Sequence, residues 1–232
     1  MDSMVIYERP DGKVCPGYYS EPKGDNRAPA IVVIQEWWGL NNQIRGVANR
    51  LMSAGYRVLI PDLYRGRVTI DAKEAEHYMG DLNFADAATQ DIQGAVNYLK
   101  QTSERVGVTG FCMGGALTIL SAVHVSDLRA AVSWYGYPPL EYVDATKVKC
   151  HVMGHWALND AFFPISGVDA LEEKLKAAGV SYEFHRYPAQ HAFANETQVN
   201  SPLPVAYNED AAGVAWTRTM LFFGKRLKQY WT

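Results

Sequence analysis

The segment that most constrains the fold of this chain is residues 106–117, where a short β-branched run meets a glycine-flanked cysteine and then an apolar run. Residues 110–114 read Gly-Phe-Cys-Met-Gly. Glycines on both sides of Cys112 permit a sharp turn, because a residue without a side chain allows a strand and a helix to approach closely. The pattern therefore predicts a strand, a tight turn and a helix, with the Cys112 side chain exposed at the end of the strand.

The rest of the chain predicts one α/β domain over residues 1–232. An antiparallel hairpin is expected at residues 5–7 and 17–19, with the turn at Asp11 and Gly12. Strands and helices then alternate, which favours a mostly parallel central sheet with helices on both faces, in the order of an α/β-hydrolase fold. The predicted strands after the hairpin are residues 30–35, 57–60, 106–111, 130–135, 148–153 and 182–187, and the predicted helices are residues 42–54, 72–78, 86–100, the run after Cys112, 166–178 and 208–227.

Composition excludes several classes of protein. The 232 residues are 48% hydrophobic and carry a net charge of −3, from 22 basic and 25 acidic residues, so we expect no nucleic-acid partner. Because no apolar run reaches the length of a membrane span and residues 1–10 lack a signal-peptide pattern, we expect a cytoplasmic protein with no membrane partner. The three cysteines, Cys15, Cys112 and Cys150, are too far apart for a Cys-x-x-Cys pair, which argues against a metal or redox pair.

Two residues are candidate partners for Cys112 as a nucleophile. A cysteine nucleophile needs a base, and the base needs an acidic residue that orients it. After such a turn these residues follow in the order nucleophile, acid, histidine. Asp160 follows the strand predicted to end at Met153, and His191 follows the strand predicted to end at Tyr187. Both are therefore expected at the carboxyl edge of the sheet, where ligands bind in such folds.

Each candidate also has a purely structural interpretation. Cys112 can be an ordinary buried cysteine, Asp160 a turn or capping residue before Pro164, and His191 a solvated loop residue. His155 is the main rival as a base, because it is predicted to share a loop with Asp160.

Several short motifs together resemble the dienelactone hydrolase (carboxymethylenebutenolidase) family over nearly the whole chain. They are Gly-Phe-Cys-Met-Gly-Gly at 110–115, Gln-Glu-Trp-Trp-Gly at 35–39, Pro-Asp-Leu-Tyr at 61–64, the Asp160 loop, and His-Ala-Phe at 191–193. The resemblance implies a hydrolase without cofactor or metal that opens small enol-lactones or esters by acyl transfer to Cys112. The implied triad is Cys112, Asp160 and His191. The alternatives are a thioesterase or peptidase, or a binding or redox-sensing protein without turnover, and the oligomeric state is left open.

The resemblance also implies a role for Glu36, whose carboxylate would contact the resting thiol and move away when substrate binds. The structural alternative is an ion pair between Glu36 and Arg45 or Arg65. The oxyanion hole would consist of the backbone N–H groups of Met113 and Trp37.

Substrate contacts are expected from Trp38, Tyr137, Lys73 and Asn195. Related enzymes hold a substrate carboxylate with arginines, whereas the corresponding positions here offer Lys73 and Asn195. Neither reproduces the bidentate fork of arginine, so we predict weaker selection for anionic lactones unless Arg65 or Arg67 supplies the charge. At least half of the aromatic residues near strand ends are expected to pack in the core; they are Trp37, Trp38, Trp134, Tyr135, Tyr137 and Trp156.

Overall fold

The central sheet of the computed structural model, which describes residues 2–24 and 27–228, has eight strands. They are β1 Asp2–Glu8, β2 Val14–Ser20, β3 Ala30–Ile34, β4 Arg57–Pro61, β5 Val106–Phe111, β6 Leu128–Trp134, β7 His151–Asn159 and β8 Tyr182–Gln190. Their order across the sheet is β1-β2-β4-β3-β5-β6-β7-β8. The β1–β2 and β2–β4 pairs are antiparallel and the remaining pairs are parallel, which confirms the α/β-hydrolase fold with its N-terminal hairpin.

Helices cover both faces of this sheet. They are α1 Asn42–Ser53, α2 Ala72–Asp81, α3 in three adjoining segments (Phe84–Asp86, the π-helical Ala87–Ile92 and Gln93–Lys100), α4 Met113–His124, α5 Ile165–Ala177 and α6 Glu209–Leu227. None of the described helices is long and apolar enough to cross a membrane. Several boundaries follow from local chemistry: the Asn208 side chain, for example, accepts the N–H of Ala211 at 3.0 Å and so caps the start of α6.

The core has two layers, one on each face of the sheet. Neighbouring residues of β3 belong to different layers: Val32 packs with Leu117 of α4, and Ile31 packs with Leu51 of α1. Successive side chains of a strand point to opposite faces, so an unbroken apolar run such as β3 needs a helical layer on each side.

The last two strands are longer than the sequence predicts, and this difference matters for the site. Strand β7 continues six residues past Met153, and β8 continues three residues past Tyr187. The predicted strand ends directly before Gly154, but a side chain at that position would overlap the indole of Trp156, so the glycine makes room within a strand that continues. Pro188 is tolerated because β8 is an edge strand of the described sheet.

Candidate active site

The turn between β5 and α4 holds Cys112 in a strained conformation. Its backbone has φ 56° and ψ −117°, a region that residues with side chains rarely adopt. A Cβ at Gly110 would overlap the carbonyl oxygen of Gly114, and a Cβ at Gly114 would meet that of Ile34 at 2.5 Å. The two glycines therefore permit the close approach that the sequence pattern predicted. The partly exposed Cys112 thiol reaches a cavity at the end of the sheet.

Strand pairing brings Asp160 and His191 side by side. Asn159 of β7 pairs with Gln190 of β8, so the next residue on each strand leaves the sheet at the same place. The Asp160 Oδ2 lies 2.8 Å from the His191 Nδ1, and both side chains are at least 90% buried. The Oδ1 of Asp160 accepts the backbone N–H groups of Phe162 and Phe163, each at 2.8 Å, so Asp160 also has the turn-stabilising role considered from the sequence.

His191 and Cys112 line the same cavity. Because Nδ1 is occupied by Asp160, Nε2 is the ring nitrogen available to the thiol. Burial alone lowers the pKa of His191, but the interactions with Cys112 and Asp160 outweigh it and raise that pKa to about 10. The structure thus places Cys112 and His191 at one cavity wall, with Asp160 hydrogen-bonded to the other side of the imidazole.

Aromatic rings fix the His191 imidazole from three directions. Phe163 stacks on it at 5.5 Å between centroids, Phe162 lies at 5.0 Å, and Tyr135 meets it edge-on at 5.2 Å. These rings exclude water and limit rotation of the imidazole. Sequence reasoning missed Phe162 and Phe163 as site residues, although their position directly after Asp160 was a usable signal.

Glu36 is buried at the same edge of the sheet but bonds neither the thiol nor an arginine. Its Oε1 accepts the hydroxyl of Tyr135 at 3.0 Å, and its Oε2 accepts the side-chain amide of Asn195 at 2.7 Å. Burial raises the pKa of Glu36, although Asn195, His191 and Tyr135 favour its charged form. The expected contact with Cys112 is therefore not present among the described hydrogen bonds.

Asn195 has a different place from the one predicted. Its side chain is 1% exposed and does not line the cavity, since Nδ2 donates to Glu36 and Oδ1 accepts from Thr197. Its physical role is to hold the Glu36 carboxylate. Lys73 also lies outside the cavity, as an exposed residue of α2.

The arginines proposed as substitutes or partners are engaged elsewhere. Arg65 pairs with the buried Asp91 at 2.7 Å, Arg67 lies 4.4 Å from the centre of the Tyr78 ring, and Arg45 lies over Tyr18. None of the three arginines lines the cavity beside Cys112.

That cavity, which we call the inner cavity, has a volume of about 220 Å³ and an apolar wall. It is lined by Glu36, Trp37, Trp38, Met79, Cys112, Phe162, Phe163, His191, Ala192, Gln198, Leu203 and Val205, with no basic residue apart from His191. Trp37 and Trp38 contact each other edge-on, with 5.0 Å between their ring centroids. Tyr137 lies outside it and donates its hydroxyl to the Pro164 carbonyl. Trp134, Tyr135 and Trp156 are core residues, as expected for at least half of these aromatics.

The geometry of the backbone suits the predicted oxyanion hole. Met113 is the first residue of α4, and the first N–H groups of a helix lack acceptors within the helix. Trp37 begins the turn after β3 and lines the inner cavity with Cys112. No three His, Cys, Asp or Glu side chains converge to hold a metal ion in the described ranges.

His155, the rival base, belongs to the core. It lies within β7 rather than in a loop, is fully buried, and bonds the Tyr187 hydroxyl at 2.9 Å and the Thr219 hydroxyl at 2.8 Å. Burial holds the pKa of His155 well below its usual value. The side chain has no access to Cys112.

The sequence profile of the dienelactone hydrolase family matches residues 15–227. The chain belongs to this family. It is also 32% identical to protein usf of Aquifex pyrophilus, over 98% of this chain and 100% of that one. A protein of Salmonella typhi with the provisional name carboxymethylenebutenolidase is 30% identical, over 92% of this chain and 84% of that one.

Solved structures agree with this assignment to the dienelactone hydrolase family. A Klebsiella pneumoniae protein described provisionally as a dienelactone hydrolase superposes with a TM-score of 0.84 and 27% identity, covering 97% of this chain and 99% of that one. The dienelactone hydrolase-like phosphotriesterase P91 from metagenomic libraries has a TM-score of 0.87 at 23% identity, covering 98% and 99%, and so shares the fold. The chain is a hydrolase of this family.

Proposed function

We propose that this dienelactone hydrolase family member hydrolyses small neutral esters or lactones through a covalent thioester on Cys112. The observation that carries the proposal is that Cys112 and His191 line one apolar cavity, with the far side of the His191 imidazole hydrogen-bonded to Asp160 at 2.8 Å. Such an arrangement supplies a nucleophile, a base and a residue that orients the base.

The first half of the reaction transfers the acyl group to sulfur. His191 takes the proton of the Cys112 thiol at Nε2, and the thiolate attacks the ester carbonyl carbon. The carbonyl electrons move to oxygen, where the N–H groups of Met113 and Trp37 stabilise the negative charge. The C–O bond to the leaving group then breaks, and the leaving oxygen takes the proton from His191. In a lactone the leaving oxygen stays attached to the acyl chain.

The second half returns the enzyme to its resting state. Water gives a proton to His191 and attacks the thioester carbonyl, and the resulting oxyanion occupies the same two N–H groups. The C–S bond breaks, the carboxylic acid is released, and the proton of His191 returns to Cys112. Asp160 keeps the imidazole oriented, with its proton on Nδ1, through both halves.

Glu36 stays outside this proton path in the proposed reaction. Tyr135 and Asn195 hold its carboxylate at the cavity wall, 3.0 and 2.7 Å from its two oxygens. There it interacts electrostatically with His191, so the charged form of Glu36 and the imidazolium that forms during acyl transfer favour each other.

A neutral substrate follows from the lining of the inner cavity. No lysine or arginine lines it, so an anionic carboxylate close to the reacting carbonyl would lose its water without either side chain to pair with. An arginine at position 195 would be buried beside Glu36 rather than reach the substrate.

The test compares Cys112→Ala with Cys150→Ala on p-nitrophenyl acetate. Cys150 is a suitable control, since it is buried outside the cavity and burial raises the pKa of its thiol to about 12. We expect Cys112→Ala to lose at least about 1,000-fold in kcat/KM and Cys150→Ala to stay within about twofold. Full turnover by Cys112→Ala would refute the mechanism. A Cys112 that reacts with peroxide in a protein without turnover would favour a redox sensor instead.

A further inference from the structure

A second and larger space, which we call the outer cleft, adjoins the inner cavity. Its volume is about 510 Å³, and it lies between residues 69–72 and residues 197–203, with Trp38 and Asn41 also in its wall. Trp38, Gln198 and Leu203 line both spaces. A ligand with its reacting group at Cys112 can therefore continue into the outer cleft past these three side chains.

The two volumes differ in what they can hold. The inner cavity, at about 220 Å³, is smaller than the roughly 300–1,000 Å³ of common small-molecule sites. The outer cleft falls within that range by itself. A small acetate ester would leave the outer cleft empty, whereas an elongated ester would occupy both spaces.

Both walls of the outer cleft carry apolar side chains that are in contact with water. Ile70 on one wall is 97% exposed, and Val199 on the other is 62% exposed. Trp38 and Leu203 continue the apolar surface toward the inner cavity. Isolated exposed apolar residues are common, but two on facing walls of one cleft form a surface that an apolar ligand would remove from water.

Backbone hydrogen bonds hold the two walls in place. On one side the N–H of Thr69 donates to the Trp38 carbonyl at 3.1 Å, and the N–H of Asp71 donates to the Thr69 hydroxyl at 3.0 Å. On the other side the N–H of Tyr207 donates to the Gln198 carbonyl at 3.0 Å. The protein's own hydrogen bonds thus order both walls, and ordered walls lose less entropy on binding.

The charge of the outer cleft favours a neutral occupant. Asp71 is the one charged residue among those that line it, and its Oδ1 accepts the N–H of Glu74 at 2.9 Å as the cap of α2. An anionic group would meet this carboxylate without a cationic partner. The remaining polar lining residues are neutral.

We propose that the outer cleft binds the distal apolar part of an elongated neutral ester whose carbonyl lies at Cys112. The proposal rests on the hydrolase function above and specifies its substrate class. The distal part can belong to the acyl group or to the alcohol, and the two cases place the same chemistry in the cleft.

Two substrate series test the proposal. One varies the acyl chain of p-nitrophenyl esters from acetate to decanoate, and the other varies the alcohol of alkyl acetates from methyl to octyl. We expect kcat/KM to rise about two- to fourfold per methylene group in one series, over the stretch of chain that enters the outer cleft. The series that rises identifies which side of the ester occupies the cleft.

Substitutions locate the effect. Ile70→Glu and Val199→Glu should each lower the ratio of kcat/KM for the longest to the shortest ester by at least about tenfold. Ile6→Glu is the matched control, because Ile6 is 71% exposed on β1 and lines neither space. It should keep the wild-type ratio. Asp71→Asn keeps a side chain that can cap α2. It should lower the ratio of kcat/KM for an ester with a neutral chain to kcat/KM for an ester whose chain ends in a carboxylate.

Binding of unreactive amides, measured by calorimetry, separates this proposal from the proposed function; N-alkylacetamides vary the chain on the alcohol side, and N-methylalkanamides vary it on the acyl side. Hydrolysis of esters by Cys112→Ala would refute the catalytic mechanism. The cleft proposal would still be supported if the affinity for the amides rose with chain length in wild type and not in Val199→Glu. If hydrolysis needs Cys112 but neither rate nor affinity depends on chain length, the cleft proposal is overturned. Stronger binding of a carboxylate-ended chain than of a neutral one would also overturn it.

Discussion

Two buried histidines on neighbouring strands show how differently this fold uses the same side chain. His191 lies just beyond β8 at the carboxyl edge of the sheet, between Asp160 and Cys112. His155 lies inside β7, between the hydroxyls of Tyr187 and Thr219. Both are at least 95% buried, so burial alone does not separate them.

Their neighbours separate them instead. Negative groups around His191 raise its pKa to about 10, against the effect of burial. Around His155 burial dominates and His185 and Arg218 add to it, so the pKa of His155 is far below the usual value. The two ring nitrogens of His155 are both occupied by hydroxyl groups, Nδ1 by Tyr187 at 2.9 Å and Nε2 by Thr219 at 2.8 Å, and the Tyr187 hydroxyl also accepts a bond from Arg218. The same residue type is thus the proposed proton carrier in one region and a buried packing group in the other.

The largest expected effect separates the two regions by activity. His191→Gln should lower kcat for p-nitrophenyl acetate by on the order of 1,000-fold, because the thiol loses its base. The melting temperature should change little. His155→Gln should keep kcat within about threefold. Similar losses of kcat in both variants, measured on folded protein, would contradict the division of roles.

Stability should show the reverse pattern. His155→Leu removes a hydrogen bond from each of the buried Tyr187 and Thr219 hydroxyls, of which Tyr187 keeps its bond from Arg218, and we expect the free energy of unfolding to fall by about 2–4 kcal/mol. Chemical denaturation of the variant beside His191→Gln measures the difference. An unchanged denaturation midpoint for His155→Leu would show that these two hydrogen bonds contribute nothing to the free energy of unfolding.

Two tyrosines sharpen the comparison, because the hydroxyl of each makes hydrogen bonds in one of the two regions. Tyr187→Phe removes a partner of His155 and Arg218 and should lower the free energy of unfolding by about 1–3 kcal/mol with little change in kcat. Tyr135→Phe removes a donor to Glu36 and should lower kcat/KM about two- to tenfold. Steady-state kinetics and denaturation of both variants check this, and interchanged effects would refute it.

The smallest effect is a pH dependence of stability from His155. Below a pH of about 6.5 the unfolded chain binds a proton at this residue and the folded chain does not. Unfolding then takes up a proton, so the contribution of His155 to stability decreases as the pH falls, by at most about 1.4 kcal/mol per pH unit. Denaturation of wild type and His155→Gln between pH 7.5 and 5 measures it. Parallel curves would mean that His155 titrates normally in the folded state.

The positions of the proposed catalytic side chains were predictable, because each is carried by a local pattern. The glycines around Cys112 permit a tight turn, and Asp160 and His191 follow strands whose carboxyl ends meet at one edge. The strand ends were less predictable. Gly154 and Pro188 usually indicate a loop, and only tertiary packing against Trp156 and an edge position show that the strands continue.

The roles of His155 and Asn195 depended on contacts that sequence spacing does not contain. His155 is neutral and buried because α6, 64 residues away along the chain, supplies Thr219. Asn195 holds Glu36 across a separation of 159 residues. Such long-range partners decide whether a polar side chain faces a ligand or the protein interior, and a single sequence carries no direct signal of them.

The most direct test of the central claim is the intact mass of the protein during turnover of an activated ester. Rapid mixing with p-nitrophenyl acetate and acid quenching should give a population with one added acetyl group, located on Cys112 by peptide mapping and absent from Cys112→Ala. His191→Gln should accumulate this adduct slowly, if at all, whereas Cys150→Ala should match wild type. An acetyl group found on another residue, or hydrolysis with no adduct on Cys112 at any time, would contradict the proposed mechanism.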